Sequence, residues 1–124
     1  MVPKKILIVE DEKAMRDLLA EILREQGHQI DTAEDGEIGY AKMKEGGYDL
    51  VLLDIILPKM DGLKIMQILE KTPPRQPITN IVILSNLGQV QAVADAVALG
   101  ARGYMIKTDY TPDQIATEIN RYLE

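Results

Sequence analysis

The chain has 124 residues, the length of a single domain, and residues 1–124 are read as one. It has no cysteine, one histidine and only tyrosine among its aromatics, which excludes disulfides, thiol nucleophiles, a multi-histidine metal centre and a base-stacking platform. Fourteen Lys and Arg against twenty Asp and Glu give a net charge of −6, against nucleic-acid or anionic-membrane binding.

Five short apolar runs alternate with longer segments of helical spacing. Lys4-Lys5 opens the first run, Ile6-Leu7-Ile8-Val9, which is too short for a signal peptide or a membrane span. A cytoplasmic protein with no membrane partner is expected. Met15, Leu18, Leu19, Ile22 and Leu23 then repeat at helical intervals, and Gly27 stops that helix. His28 follows in what reads as an exposed turn. A weaker strand covers Gln29 to Ala33. Leu50-Val51-Leu52-Leu53 and Ile81-Val82-Ile83-Leu84 are strands apolar enough to be covered on both faces. Thr72 to Pro77 is a stiff, proline-rich loop between the third helix and the fourth strand. The fourth helix, Gln89 to Leu99, carries one charge, Asp95, and an apolar surface nearly all round. Gly103 to Ile106 is the last strand, and its Tyr104 reads as core on pattern alone. Thr111-Pro112-Asp113 supplies an N-cap, a first-turn proline and a first-turn acid to the final helix. Five strands alternating with five helices predict an α/β domain with a mainly parallel, doubly wound sheet.

Ligands of such sheets bind beyond the carboxyl ends of the strands. There the first strand runs into Glu10-Asp11-Glu12, the third ends on Asp54, the fourth on Ser85-Asn86, and the fifth on Lys107-Thr108. Adjacent carboxylates repel without a cation between them, and an all-oxygen donor set suits Mg²⁺ or another hard divalent ion such as Mn²⁺. Asp54 ends a buried strand and could act as nucleophile in phosphoryl transfer, giving an acyl phosphate. Lys107 and the Ser85 hydroxyl would meet the remaining phosphoryl oxygens.

These residues carry a family resemblance. Lys5 to Glu12 (KILIVEDE), Asp49 to Gly62 (DLVLLDIILPKMDG), Ile81 to Ser85 and Gly100 to Lys107 (GARGYMIK) resemble a response-regulator receiver domain from end to end. The resemblance implies a strand order of 2-1-3-4-5 and phosphoryl transfer to Asp54 from a sensor histidine kinase or phosphotransfer protein. It implies Mg²⁺ on Glu10, Asp11, Asp54 and the backbone carbonyl of Ile56. It makes Ser85 the switch hydroxyl, Lys107 the phosphoryl-contacting amine, and Tyr104 the aromatic whose rotamer follows Ser85. A homodimer or a target protein is then expected on the surface of the fourth helix, fifth strand and fifth helix. The segment Leu57 to Gly62 reads as a rigid loop supporting Asp54.

Two positions, Thr108 and Asn86, depart from the family pattern. Thr108 stands where proline usually follows the lysine, so the Lys107–Thr108 bond is expected to be trans. Asn86 replaces a small residue beside the acceptor, where it could narrow access or hydrogen-bond to a phosphoryl oxygen. Ile56 and Leu87 occupy positions that tune phosphate lifetime, and neither can hold an attacking water, so slow self-dephosphorylation is expected. The leading reading is a signalling switch that catalyses only its own phosphorylation and dephosphorylation. A turnover phosphatase would carry a second acid at position 56, and a flavin or nucleotide carrier would have a phosphate-cradling loop in place of Glu10-Asp11-Glu12. The alternative is a phosphorylation-independent interaction module of the same fold.

Overall fold

A computed structural model describes residues 2–124. The elements run β1 (Lys5–Val9), α1 (Lys13–Glu25), β2 (Gln29–Ala33), α2 (Gly36–Glu45), β3 (Leu50–Asp54), α3 (Gly62–Lys71), β4 (Asn80–Ser85), α4 (Val90–Ala98), β5 (Gly103–Ile106) and α5 (Pro112–Tyr122). All strand pairs are parallel, in the order β2-β1-β3-β4-β5. Alternation along each strand divides the core into two layers. Leu7, Val9, Val51, Leu53 and Ile83 face α2, α3 and α4, meeting Met43, Ile65, Met66 and Ala96. Ile6, Ile8, Leu50, Leu52, Val82 and Leu84 face α1 and α5, meeting Leu19, Leu23, Ile115 and Ile119.

Local chemistry sets the helix ends. Gly27 takes the left-handed φ of 94° that ends α1. Asp35 and Asp61 cap α2 and α3 by accepting from Ile38 N–H and Lys64 N–H, each at 2.8 Å. Thr111 and Gln114 form a full capping box at α5, with Pro112 in its first turn. No peptide bond among the described residues is cis, and Lys107–Asp109 form a single 3-10 turn leading towards α5. The loop from Thr72 to Pro77 packs back on the end of α2, where Gly46 bridges to Gln76.

Two expectations are corrected. His28 is buried, at 4% exposure. Its Nδ1 accepts from Lys4 N–H at 3.1 Å and its Nε2 bonds Asn120 Oδ1 at 2.8 Å, while Asn120 Nδ2 donates to Gln26 Oε1. The ring thus ties the N-terminal strand to the ends of α1 and α5. Tyr104 is not core: it is 52% exposed. β5 is an edge strand, and the α4 side of that edge is open.

Candidate functional site

Strand register gathers the site. Val9 lies opposite Leu53, so Glu10 comes level with Asp54; Asp54 pairs with Leu84, and Ser85 pairs with Ile106, one residue before Lys107. Alternation sends Glu10, Asp54 and Lys107 towards the α1/α5 layer, on the side of Ile8, Leu52 and Met105. Ser85 and Tyr104 follow Ile83 to the α4 side. The site is therefore built in two halves, one on each face of the sheet edge.

In the first half, Lys107 Nζ stands between two buried carboxylates. It donates to Asp54 Oδ2 at 2.6 Å and lies 2.7 Å from Glu10 Oε1. The second contact is an ion pair without an aligned hydrogen bond, and Glu10 Oε2 has no hydrogen-bond partner among the described residues. Burial, followed by the neighbouring Asp54 carboxylate, pushes the Glu10 acid from 4.5 up to about 8 against the pull of Lys107. Burial alone would lower the lysine, but hydrogen bonds and charge from Asp54 and Glu10 outweigh it and hold Lys107 above its ordinary value.

The exposed Asp11 completes the acidic group: one carboxylate oxygen each from Glu10, Asp11 and Asp54 lie within 4.8 Å of one another. Three hard oxygen donors, one with a buried unpartnered oxygen, fit Mg²⁺ or a similar hard divalent ion. Ile56 contributes its N–H, which donates to Asp54 Oδ1 at 3.2 Å, while its side chain is exposed.

In the second half, Ser85 Oγ is buried and has no hydrogen-bond partner among the described residues. Asn86 is exposed, and its backbone N–H donates to Gln89 Oε1 at 2.9 Å. Ser85, Leu87, Val90, Val93, Val97 and Tyr104 line a mostly apolar groove of about 410 Å³ between α4 and β5. The expectation that α4 is apolar nearly all round meets a split outcome. Val93 and Ala96 are buried, whereas Val90 and Val97 stand open to solvent.

The loop after Asp54 is held by close backbone approaches. Gly62 N–H donates to Ile55 O at 2.7 Å, and a Cβ on Gly62 would lie 2.3 Å from Asp54 O. Pro58 O accepts from Gly36 N–H, and a Cβ on Gly36 would lie 1.5 Å from Met60 O. Lys59 takes a left-handed φ of 69° and pairs with Asp35 at 3.4 Å. Sequence reasoning found Asp54 and its loop but missed this clamp from the β2–α2 connection. It also missed Arg16, whose guanidinium reaches the backbone of the acidic loop. The helical pattern of α1 placed Arg16 outside the apolar stripe and gave no sign of where its head group goes.

A family model for the response regulator receiver domain matches residues 6–120. The chain belongs to that family. It is 38% identical over 108 residues to the chemotaxis protein CheY of Treponema pallidum, covering 85% of this chain and 73% of that protein. It is 38% identical over 103 residues to the transcriptional regulatory protein CusR of Escherichia coli (strain K12), covering 83% of this chain and 44% of CusR. The chain spans half or less of the transcriptional regulators it matches. Among solved structures, a CheY-like receiver domain protein from Methanospirillum hungatei superposes with a TM-score of 0.83 at 26% identity, over 98% of this chain and 94% of that one. Receiver domains are signalling modules of two-component systems, and the five parallel strands in the order 2-1-3-4-5 are their architecture. Among the described residues no helix is long and apolar enough to cross a membrane.

Proposed function

We propose that residues 1–124 act as a phosphorylation-activated switch in the cytoplasm, taking a phosphoryl group onto Asp54 from a histidine kinase or phosphotransfer protein. The observation that carries this reading is the Lys107 ammonium shared between buried Asp54 and Glu10, with one Glu10 oxygen left without a partner. Glu10, Asp11, Asp54 and the Ile56 carbonyl would hold Mg²⁺, which supplies positive charge to the phosphoryl oxygens.

An Asp54 carboxylate oxygen attacks phosphorus as the P–N bond to the donor imidazole breaks, and the electron pair returns to the ring nitrogen. Lys107 holds the Asp54 carboxylate aligned beforehand, then follows the new charge onto a phosphoryl oxygen. Ser85, whose hydroxyl has no partner, gains an acceptor when it turns from the α4 side to the phosphoryl group. Its departure opens the inner end of the groove to the exposed ring of Tyr104. Phosphorylation thereby biases the α4–β5–α5 surface between two states, and a homodimer or target protein reads the difference. Ile56 and Leu87, both exposed and apolar beside Asp54 and Ser85, cannot orient an attacking water and so prolong the phosphorylated state.

The test is intact-protein mass after incubation with a small phosphodonor, with and without Mg²⁺, for the wild type and Asp54→Asn. A single phosphoryl adduct that needs both Mg²⁺ and Asp54 is expected. Absence of an adduct with Mg²⁺ binding intact points to access blocked at Asn86 or to strict dependence on the kinase. Absence of both transfers the weight to an interaction module independent of phosphorylation.

A further inference from the structure

We propose that Arg16 is a positioning residue for the acidic site: its guanidinium fixes the backbone of Glu10 and Asp11 so that their carboxylates are preset for a divalent cation. The inference rests on the reading of Glu10, Asp11 and Asp54 as a metal site, and it concerns a residue outside that set.

Arg16 lies in the first turn of α1, an unfavourable place for a cation because the helix N-terminus carries partial positive charge. Its side chain is nevertheless only 11% exposed, and its nearest carboxylate contact, Asp17 Oδ1, is at 4.0 Å. A buried charge needs partners. Arg16 finds them in the backbone: Nη1 donates to Glu10 O at 3.0 Å and, more weakly, to Asp11 O at 3.4 Å.

The direction follows from helix geometry. Side chains of a helix lean towards its N-terminus, so a residue in the first turn covers the segment that precedes the helix. Here that segment is the turn where β1 gives way to α1, and no side chain caps the helix at Glu12. Glu10 is anchored on its other side by its N–H, which donates to Ala33 O at 3.1 Å. Arg16 anchors the carbonyl. With both ends of its peptide environment held, Glu10 is committed to the interior while Asp11 turns outward to the same 4.8 Å group.

Groups that orient metal ligands from behind commonly change metal affinity by about 10–100-fold when removed. Arginine suits this task because its planar guanidinium holds Nη1 in a fixed direction between the two carbonyls, whereas a lysine ammonium is a point charge on a flexible stem.

Charge and positioning predict opposite signs. Removing a nearby cation should tighten Mg²⁺ binding if only electrostatics matter, because cation–cation repulsion is relieved. Loss of positioning should weaken it. The experiment is a Mg²⁺ titration followed by amide NMR shifts of residues 10–12 in the wild type, Arg16→Met, Arg16→Lys and Glu10→Gln. Ile119→Val serves as a control that removes one buried methyl from α5 far from the loop. We expect Arg16→Met to weaken Mg²⁺ by about 10–100-fold, Arg16→Lys to fall between it and the wild type, and Ile119→Val to bind as the wild type does. Unchanged or tighter binding by Arg16→Met overturns the inference while leaving the metal site intact. If Arg16→Met does not fold, wild-type affinity in Arg16→Lys overturns it. Absence of binding to the wild type, or undiminished binding to Glu10→Gln, overturns the metal-site reading itself and the inference with it.

Discussion

Glu10 bears the cost of the acidic site in the metal-free protein, and Glu10→Gln removes that cost in a pH-dependent way. Its side chain is fully buried, one oxygen has no partner, and Lys107 divides its charge with Asp54. Burial and the Asp54 carboxylate raise its acid from 4.5 to about 8. Between these values the folded protein keeps a proton that the unfolded chain has released, so stability falls as pH rises through the window. One pKa unit corresponds to about 1.4 kcal/mol, which makes the cost roughly 3 kcal/mol at pH 7 and about 5 kcal/mol once Glu10 is fully ionised. Glutamine has no proton to release. Urea unfolding in EDTA should therefore find the two proteins alike at pH 4.5 and the variant more stable by roughly 3 kcal/mol at pH 7. Mg²⁺ should narrow the gap, since a cation at a hundredfold excess over Kd stabilises the wild type by about 2.7 kcal/mol. A difference that does not change with pH, or a variant less stable than wild type at pH 7 in EDTA, would refute the reasoning.

Three further outcomes are expected. His28→Leu leaves Lys4 N–H and Asn120 Oδ1 without their partner and should cost about 2–4 kcal/mol in urea unfolding; a loss under about 1 kcal/mol would mean water replaces the ring. Gly36→Ala drives a Cβ into Met60 O, a backbone atom that cannot swing aside. It should cost roughly 2–3 kcal/mol and shift the amide resonances of the loop after Asp54; unmoved loop resonances would contradict the clamp. Ile56→Asn places a polar group where an exposed isoleucine stands, and phospho-Asp54 should decay severalfold faster, as followed by intact mass over time. Equal lifetimes would sink the role assigned to Ile56.

Much of the fold was legible because the central strands are covered on both faces. β1, β3 and β4 announce themselves as unbroken apolar runs, and the residues at or just past their ends name the site. Parallel register then brings Glu10, Asp54 and Lys107 together with no further information. What escaped depends on contacts distant in sequence or on side-chain direction. His28 looks like a surface residue beside Gly27, but its partner is Asn120, 92 positions away. Tyr104 alternates as core would, yet it lies on an edge strand facing an open groove. Arg16 sits off the apolar stripe of α1, and periodicity cannot tell a solvated guanidinium from one folded back onto the preceding loop. The Asp35–Lys59 clamp joins two connections that have no local pattern in common.

The central claim is that Asp54 is the residue that receives the phosphoryl group. An acyl phosphate is reduced by borohydride to an alcohol, which turns the modified aspartate into homoserine and marks its position. The protein should be incubated with a small phosphodonor and Mg²⁺, reduced, digested and mapped by mass. Homoserine is expected at position 54 alone, and none when Mg²⁺ is withheld. Homoserine at Asp11 or elsewhere, or none in a protein that binds Mg²⁺ and accepts phosphoryl, would contradict it.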